Sequence, residues 1–404
     1  MSQSVIIIAC GIAGSVLAML LKHKGFSPII YERHAEIQQA GISLGLSPQT
    51  FKVLNILGLA EKLITLGVPL DEFVTWSELR GEIIGRKDAP ANALKWLGWP
   101  QITISRSTYA RFLYDSAVER SVEMHFSKKL VDVKQDGDKV HAVFEDGTEA
   151  QGDLLVGCDG LHSAVRNVLF GKEEVKYSGL IQVGGFAPIP DAFKSAKSIF
   201  YQVFGEGAHF LASRVSDTQV AWATTIPQPT ETQEDWRRMS LAETKEMVKH
   251  LQVSTWNHGP SELVNSATFV TRYGLYERPI LPVWHKGRVV LVGDAAHPTG
   301  PHMGQGSNQA MEDCYHIVRL LCKAESWTNT TLEAAFTEYE RIRIPIVTKS
   351  VGQAKIQGAH RVLIGRDACE KSDEMLKQGG GYDPESMKVQ LELVQGPFTG
   401  ESEI

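Results

Sequence analysis

Between Val5 and Gly14 the chain reads VIIIACGIAG. The apolar run Val5 to Ala9 suits a parallel strand buried on both faces. Gly11 and Gly14 follow, and from Ser15 to Lys24 apolar residues recur at helical spacing until Gly25, where a helix C-cap is expected. Pro28 to Tyr31 supplies a second strand, ending at Glu32. Strand, glycine turn, helix and strand in this order form a βαβ unit, and the turn between them is the part that receives a dinucleotide pyrophosphate at a helix N-terminus. Glu32 lies about 20 residues beyond the turn, where a carboxylate accepts hydrogen bonds from ribose hydroxyls, and this favours NAD or FAD over NADP. The first position of such a turn is usually glycine, and here it is Ala9. A Cβ there costs about 1–2 kcal/mol only if the position needs a positive φ.

At 404 residues the chain is long enough for one large core with a second layer, or for two domains. Further along, Phe73 to Gln101 alternates in short segments broken by Gly81, Gly85, Pro90 and Pro100, which reads as an antiparallel excursion. Helical spacing returns from Thr108 to Glu119. Leu130 to Lys134 and Val140 to Glu145 read as a hairpin, and Leu154 to Gly157 as a buried strand. Strand-like segments between Leu180 and Pro227 suggest a second sheet. Val289 to Val292 is another buried strand, and a helix opens near Gly306 and runs through Leu321. After Pro345 the pattern is helical to about Leu363, and the polar tail containing GGGYD reads as loosely ordered.

A net charge of −6 gives no electrostatic reason to expect nucleic acid or an anionic membrane. The five cysteines form no CxxC pair and no framework, as in a reduced cytoplasmic protein, and no metal site is expected. Val5 to Leu21 is uncharged, but no Lys or Arg precedes it and two glycines interrupt it, so neither a signal peptide nor a membrane span is expected.

Two further segments, GCDGLHSAVR (Gly157 to Arg166) and GDAAHPTGPHMGQGSNQAMED (Gly293 to Asp313), decide the reading. Together with the N-terminal turn they resemble, in order and separation, the motifs of FAD-dependent monooxygenases of the aromatic-hydroxylase (group A) type, over roughly Ser4 to Pro345. The resemblance implies an α/β architecture. A Rossmann-like FAD-binding domain (1–72, 101–178 and 278–345) carries an inserted, mostly antiparallel β-sheet substrate domain (73–100 and 179–277), with a C-terminal helical segment and tail (346–404). It implies FAD, reduced by NADH or NADPH that docks transiently because no second fingerprint is present. Reaction with O2 then gives a flavin C4a-hydroperoxide that hydroxylates an electron-rich aromatic or enol small molecule. On this resemblance the FAD contacts are Ala9, Gly11, Ile12, Ala13, Gly14, Glu32, Arg33, Gly41 of the GISL segment, Arg106, Asp159, Gly293, Asp294, Gly304, Gln305, Gly306 and Asn308. Physical reasoning agrees for two of these places. Asp294 follows a buried strand and emerges at the carboxyl edge of the sheet, and the amides at Gly304 to Gly306 open a helix whose N-terminus suits the electron-rich end of a reduced flavin.

On the substrate side, Pro301 and His302 precede these glycines, and His302 is the candidate general base or hydrogen-bond partner because histidine titrates near neutral pH. The opposite wall is expected from Tyr201, His209, Phe210, Arg214 and Trp222 of the inserted sheet. A monomer or homodimer is expected. Competing readings are a flavin-dependent halogenase, echoed by WATTIP at Trp222 to Pro227, an epoxidase, and a redox-inactive flavin-binding protein.

Overall fold

The computed structural model describes residues 2–38, 41–194, 197–232, 238–378 and 394–404. The GGGYD tail falls outside them. Its first layer is a six-stranded sheet in the order His285–Lys286, Val289–Leu291, Leu154–Gly157, Ser4–Ile8, Ser27–Tyr31 and Glu123–His125, parallel except for the first pair. The central strand explains this placement: Val5 to Ile8 are all buried, as a strand covered on both faces requires. The helices Ile12–His23 and Gly306–Lys323 pack on the sheet with their apolar sides in one continuous core. The first helix stops where expected, with Gly25 at φ +85° just past its end.

The second large layer is a seven-stranded sheet in the order Phe269–Glu277, Lys176–Pro188, Gln219–Pro227, Ala208–Arg214, Ile199–Gly205, Glu72–Ser77 and Glu82–Lys87. All of its pairings are antiparallel except that of Ile199–Gly205 with Glu72–Ser77. The helices Leu241–Lys249 and Pro260–Asn265 cover one face and close a second core with Val203, Phe210 and Trp222. The other face looks toward the ends of the parallel strands. Two three-stranded sheets complete the fold: the hairpin strands Leu130–Asp136 and Lys139–Phe144 with Glu149–Gly152, and Ser43–Leu46 with Ile102–Ser105 and Val68–Pro69.

Two prolines mislead the sequence reading. Pro90 does not break a strand but sits in the first turn of a helix, Ala89–Leu97, where its missing N–H has no partner to lose. Pro345 does not precede a helix; it lies inside one, Asn329–His360, which continues across that gap with Leu332, Phe336, Tyr339 and Val347 buried in the core. Among the described residues no helix is long and apolar enough to cross a membrane.

Candidate active site

A cavity of about 960 Å³ runs from the glycine turn, across the ends of the parallel strands, to the free face of the seven-stranded sheet. At its first end Ala9 has φ +88°, the strained left-handed region for a residue with a side chain. Gly14 has to be glycine: a Cβ there would come 2.1 Å from the Ala9 carbonyl oxygen, so the absence of a side chain lets the helix sit against the turn. Gly11 caps the helix, and a Cβ on it would meet nothing within 4 Å, leaving its backbone open to the cavity. Glu32 is buried and accepts from the backbone N–H of Cys10 (2.8 Å) and of His34 (2.9 Å), so the carboxylate also braces the turn. Ala9, Gly11, Ile12, Ala13, Glu32 and Arg33 all line the cavity.

Arg106 opens the helix Arg106–Glu119 and lines the cavity. Gly41, at φ +89°, lies beneath it, and a Cβ there would strike the Arg106 side chain at 2.5 Å. Asp159 caps the helix Ala164–Phe170 by accepting from Ser163 Oγ (2.5 Å), Ala164 N (2.7 Å) and Val165 N (3.1 Å). Burial raises its carboxyl above the usual range, against the pull of those bonds. Asp294 emerges at the strand end and lines the cavity, where a Cβ on Gly306 would come 3.7 Å from its Oδ1.

Behind this edge lies a buried ionic network that sequence reasoning missed. Asp313 accepts from Gly293 N (2.9 Å), His297 Nε2 (2.6 Å) and Arg343 Nε (2.8 Å), and Arg343 also pairs with Glu312 and Gln309. Burial opposes the charge on Asp313, but His297 and Arg343 prevail and hold its carboxyl far below the usual carboxylate range. The Gly293 turn is therefore pinned from beneath. Asn308 does the same for the Gly304 turn. Its side chain donates to the carbonyls of Gly45 and Gly304 (3.0 Å each) and accepts from Ser47 N (3.0 Å) and Thr50 Oγ1 (2.7 Å). Gly14, Gly41, Gly293 and Asn308 thus shape the cavity from behind its lining, whereas Pro301, Gly304, Gln305 and Gly306 line it directly.

The wall that the seven-stranded sheet gives to the cavity departs from expectation. Tyr201, Phe210 and Trp222 point away from the cavity into the second core, with Trp222 stacked on Phe210 at 6.1 Å and the Tyr201 hydroxyl donating to the His258 carbonyl. Arg214 turns to Asp217 at the strand end. Side chains alternate faces along a strand, and the aromatic residues singled out from sequence occupy the wrong parity. Their neighbours Phe200, Gln202, Phe204, Leu211 and Ala223 line the cavity, together with Phe73, Gln182 and Tyr273. His209 is fully buried behind this wall, against Phe204. Trp222 and Thr224 of the WATTIP segment serve sheet packing, the Thr224 hydroxyl donating to the His209 carbonyl.

His302 does line the cavity, and its surroundings lower its basicity. Its ring lies against Gly358 of the long C-terminal helix, and its Nδ1 is 3.5 Å from Arg361 Nη1. Burial and then the Arg361 charge push its pKa down to about 4, so the imidazole is neutral at physiological pH.

The sequence model of the FAD binding domain family matches residues 2–354 of this chain. The chain belongs to that family. It is 29% identical to 6-hydroxynicotinate 3-monooxygenase of Pseudomonas fluorescens, over 86% of this chain and 90% of that protein. It is also 29% identical to 3-amino-4-hydroxybenzoate 2-monooxygenase of Streptomyces cremeus, over 92% and 91%. Among solved structures, Klebsiella pneumoniae HpxO complexed with FAD and uric acid superposes with a TM-score of 0.84 at 25% identity, over 98% of this chain and 97% of that one. The chain is an FAD-dependent monooxygenase, and its turn, strand edge and opened helix fit the cofactor: the packing glycine at 14, the open backbone at Gly11 and the continuous groove accept an extended dinucleotide.

Proposed function

We propose that this protein is an NADH- or NADPH-dependent hydroxylase of an electron-rich aromatic or enol small molecule. The observation that carries the reading is that one cavity unites the glycine turn with the free face of the second sheet, and the Pro301–Gly306 loop lies between them. When bound and reduced, FAD would supply the electrons that activate O2, and O2 itself would be the source of the transferred oxygen atom. The residues of this chain do the rest. The amides at the start of the helix Ile12–His23 would hold the pyrophosphate, Glu32 the ribose hydroxyls, and Asp294 and Arg106 the middle of the cofactor. The backbone of Gly304 to Gly306, braced by Asn308 at the Gly304 carbonyl, would be the part that meets the ring. Phe200, Phe204, Leu211 and Ala223 exclude water and hold a flat substrate, while Gln182 and Gln202 offer hydrogen bonds to its hydroxyls.

The test is to purify the protein with its flavin, measure NADH and NADPH oxidation against a panel of phenols and heteroaromatic enols, and follow labelled dioxygen by mass spectrometry. Incorporation of one labelled atom into a consumed aromatic supports the reading. Oxidation that yields only peroxide with every ring compound, or protein that holds no flavin, overturns it.

A further inference from the structure

Arg361 stands at the C-terminal end of the long helix Asn329–His360, lines the cavity beside His302, and is only 4% exposed. Its Nη1 points at His302 Nδ1, 3.5 Å away. Among the described residues, no carboxylate lies within ion-pair distance of it, and its Nε is buried without an acceptor. The Nε and Nη2 edge of a guanidinium is the fork that takes both oxygens of a carboxylate, and among the described residues that edge has no partner.

The surroundings reinforce the imbalance. The acidic residues lining the cavity are Glu32, Asp159 and Asp294, all on the side of the parallel sheet. The seven-stranded sheet and the long helix contribute Lys87 and Arg361 to the lining and no carboxylate. His302 and His209 both feel the Arg361 charge, and burial together with that charge keeps both neutral. Burial lowers the guanidinium itself only to about 10, so at physiological pH it remains a cation with no counter-ion among the described residues. Leaving a charge buried and unpaired is costly, and a site that does so is built for a partner supplied from outside.

We infer that Arg361 is the anchor for a carboxylate carried by the substrate, held fork to fork at the end of the cavity beside His302. This rests on the hydroxylase reading for the word substrate, but the anion site can be tested without it. Flavin-loaded wild type, Arg361→Met and Arg361→Lys are titrated calorimetrically with benzoate and with benzamide, a pair of nearly equal shape that differs in charge. The wild type binds benzoate at least about tenfold tighter than benzamide, Arg361→Met brings the two to parity, and Arg361→Lys keeps a reduced preference because it retains charge without the fork. Melting temperatures without ligand give the second readout: Arg361→Met is as stable as the wild type or more so, because it removes an uncompensated cation.

Equal binding of benzoate and benzamide by the wild type, no benzoate binding at millimolar concentration, or a melting temperature several degrees lower in Arg361→Met each overturns the inference. The last of these would make the arginine a structural one. The two readings separate cleanly. A benzoate preference lost in Arg361→Met, in protein that never couples ring compounds to NAD(P)H oxidation, keeps the anion site and removes the hydroxylase. Stimulation of that oxidation by neutral aromatics alone does the reverse.

Discussion

Replacing Ala9 by glycine relieves the one strained residue of the nucleotide turn. At φ +88° its Cβ is crowded against backbone, and the left-handed region costs a non-glycine residue about 1–2 kcal/mol. Glycine gives back about 0.5–1 kcal/mol through the greater freedom of the unfolded chain. The net gain is therefore about 0–1.5 kcal/mol, with a midpoint of about 0.75 kcal/mol. In a cooperative unit of this length, unfolding entropy of about 2 cal/mol/K per residue converts that gain into a rise of about 1 °C in melting temperature. Replicate scanning calorimetry of flavin-free protein resolves such a rise, and flavin retained through gel filtration gives a second measure, expected unchanged or higher. The control is Gly14→Ala. Its methyl would meet the Ala9 carbonyl oxygen at 2.1 Å, an obstacle that is backbone and cannot rotate away, so helix and turn must separate. That variant loses flavin and several degrees of stability, and adding Ala9→Gly does not rescue it because the carbonyl remains. A fall of a degree or more in Ala9→Gly, or loss of flavin from it, would mean that the Ala9 methyl makes a contact worth more than the strain, and the geometric account of this turn would be wrong.

Three other outcomes are expected. Arg343→Met leaves Glu312 and Asp313 buried without their cation and costs about 3–5 kcal/mol in denaturant unfolding. Asp313 is depressed in the native state, so its contribution is complete above the unfolded value of about 3.9 and is lost as pH falls through the native one; the variant moves this acid limb toward neutral pH. His302 is also depressed, to about 4 against about 6.5 unfolded, so it favours unfolding by up to about 3 kcal/mol as pH falls from 6.5 to 4, and His302→Gln flattens stability against pH across that window. Phe210→Ala opens the second core and lowers stability by about 3–5 kcal/mol, while Leu211→Ala, one residue along, enlarges the cavity and changes which ring compounds accelerate NAD(P)H oxidation at little cost in melting temperature.

The parts legible in the sequence are those whose signal is local. A double-sided apolar strand, the spacing of Gly11 and Gly14, Glu32 at the next strand end and the stop at Gly25 each depend on a few neighbouring residues, and the structure has them in one βαβ unit. Pro90 and Pro345 misled because a proline is judged from sequence as a breaker, whereas its effect depends on where the helix starts and how firmly its flanks are buried. The residues of this sheet that line the cavity lie a single step of parity from the ones expected. Tyr201, Phe210 and Trp222 are the conspicuous aromatics, and nothing in an alternating segment says which alternate set faces a core and which a cavity until a second layer covers one side. Arg361 and the low basicity of His302 share a cause that no local pattern records: the last turn of a 32-residue helix crossing behind the 301–303 turn.

The seven-stranded sheet divides its labour by face. On three adjacent strands, Tyr201, Val203, Phe210, Ala212 and Trp222 keep the domain folded, while the residues between them touch whatever enters the cavity. Chemical preference and thermodynamic robustness are thereby written on separate sets of codons. A lineage carrying this sheet can reshape the cavity by changing Phe200, Gln202 or Leu211 singly, each trial leaving the scaffold for the next one intact.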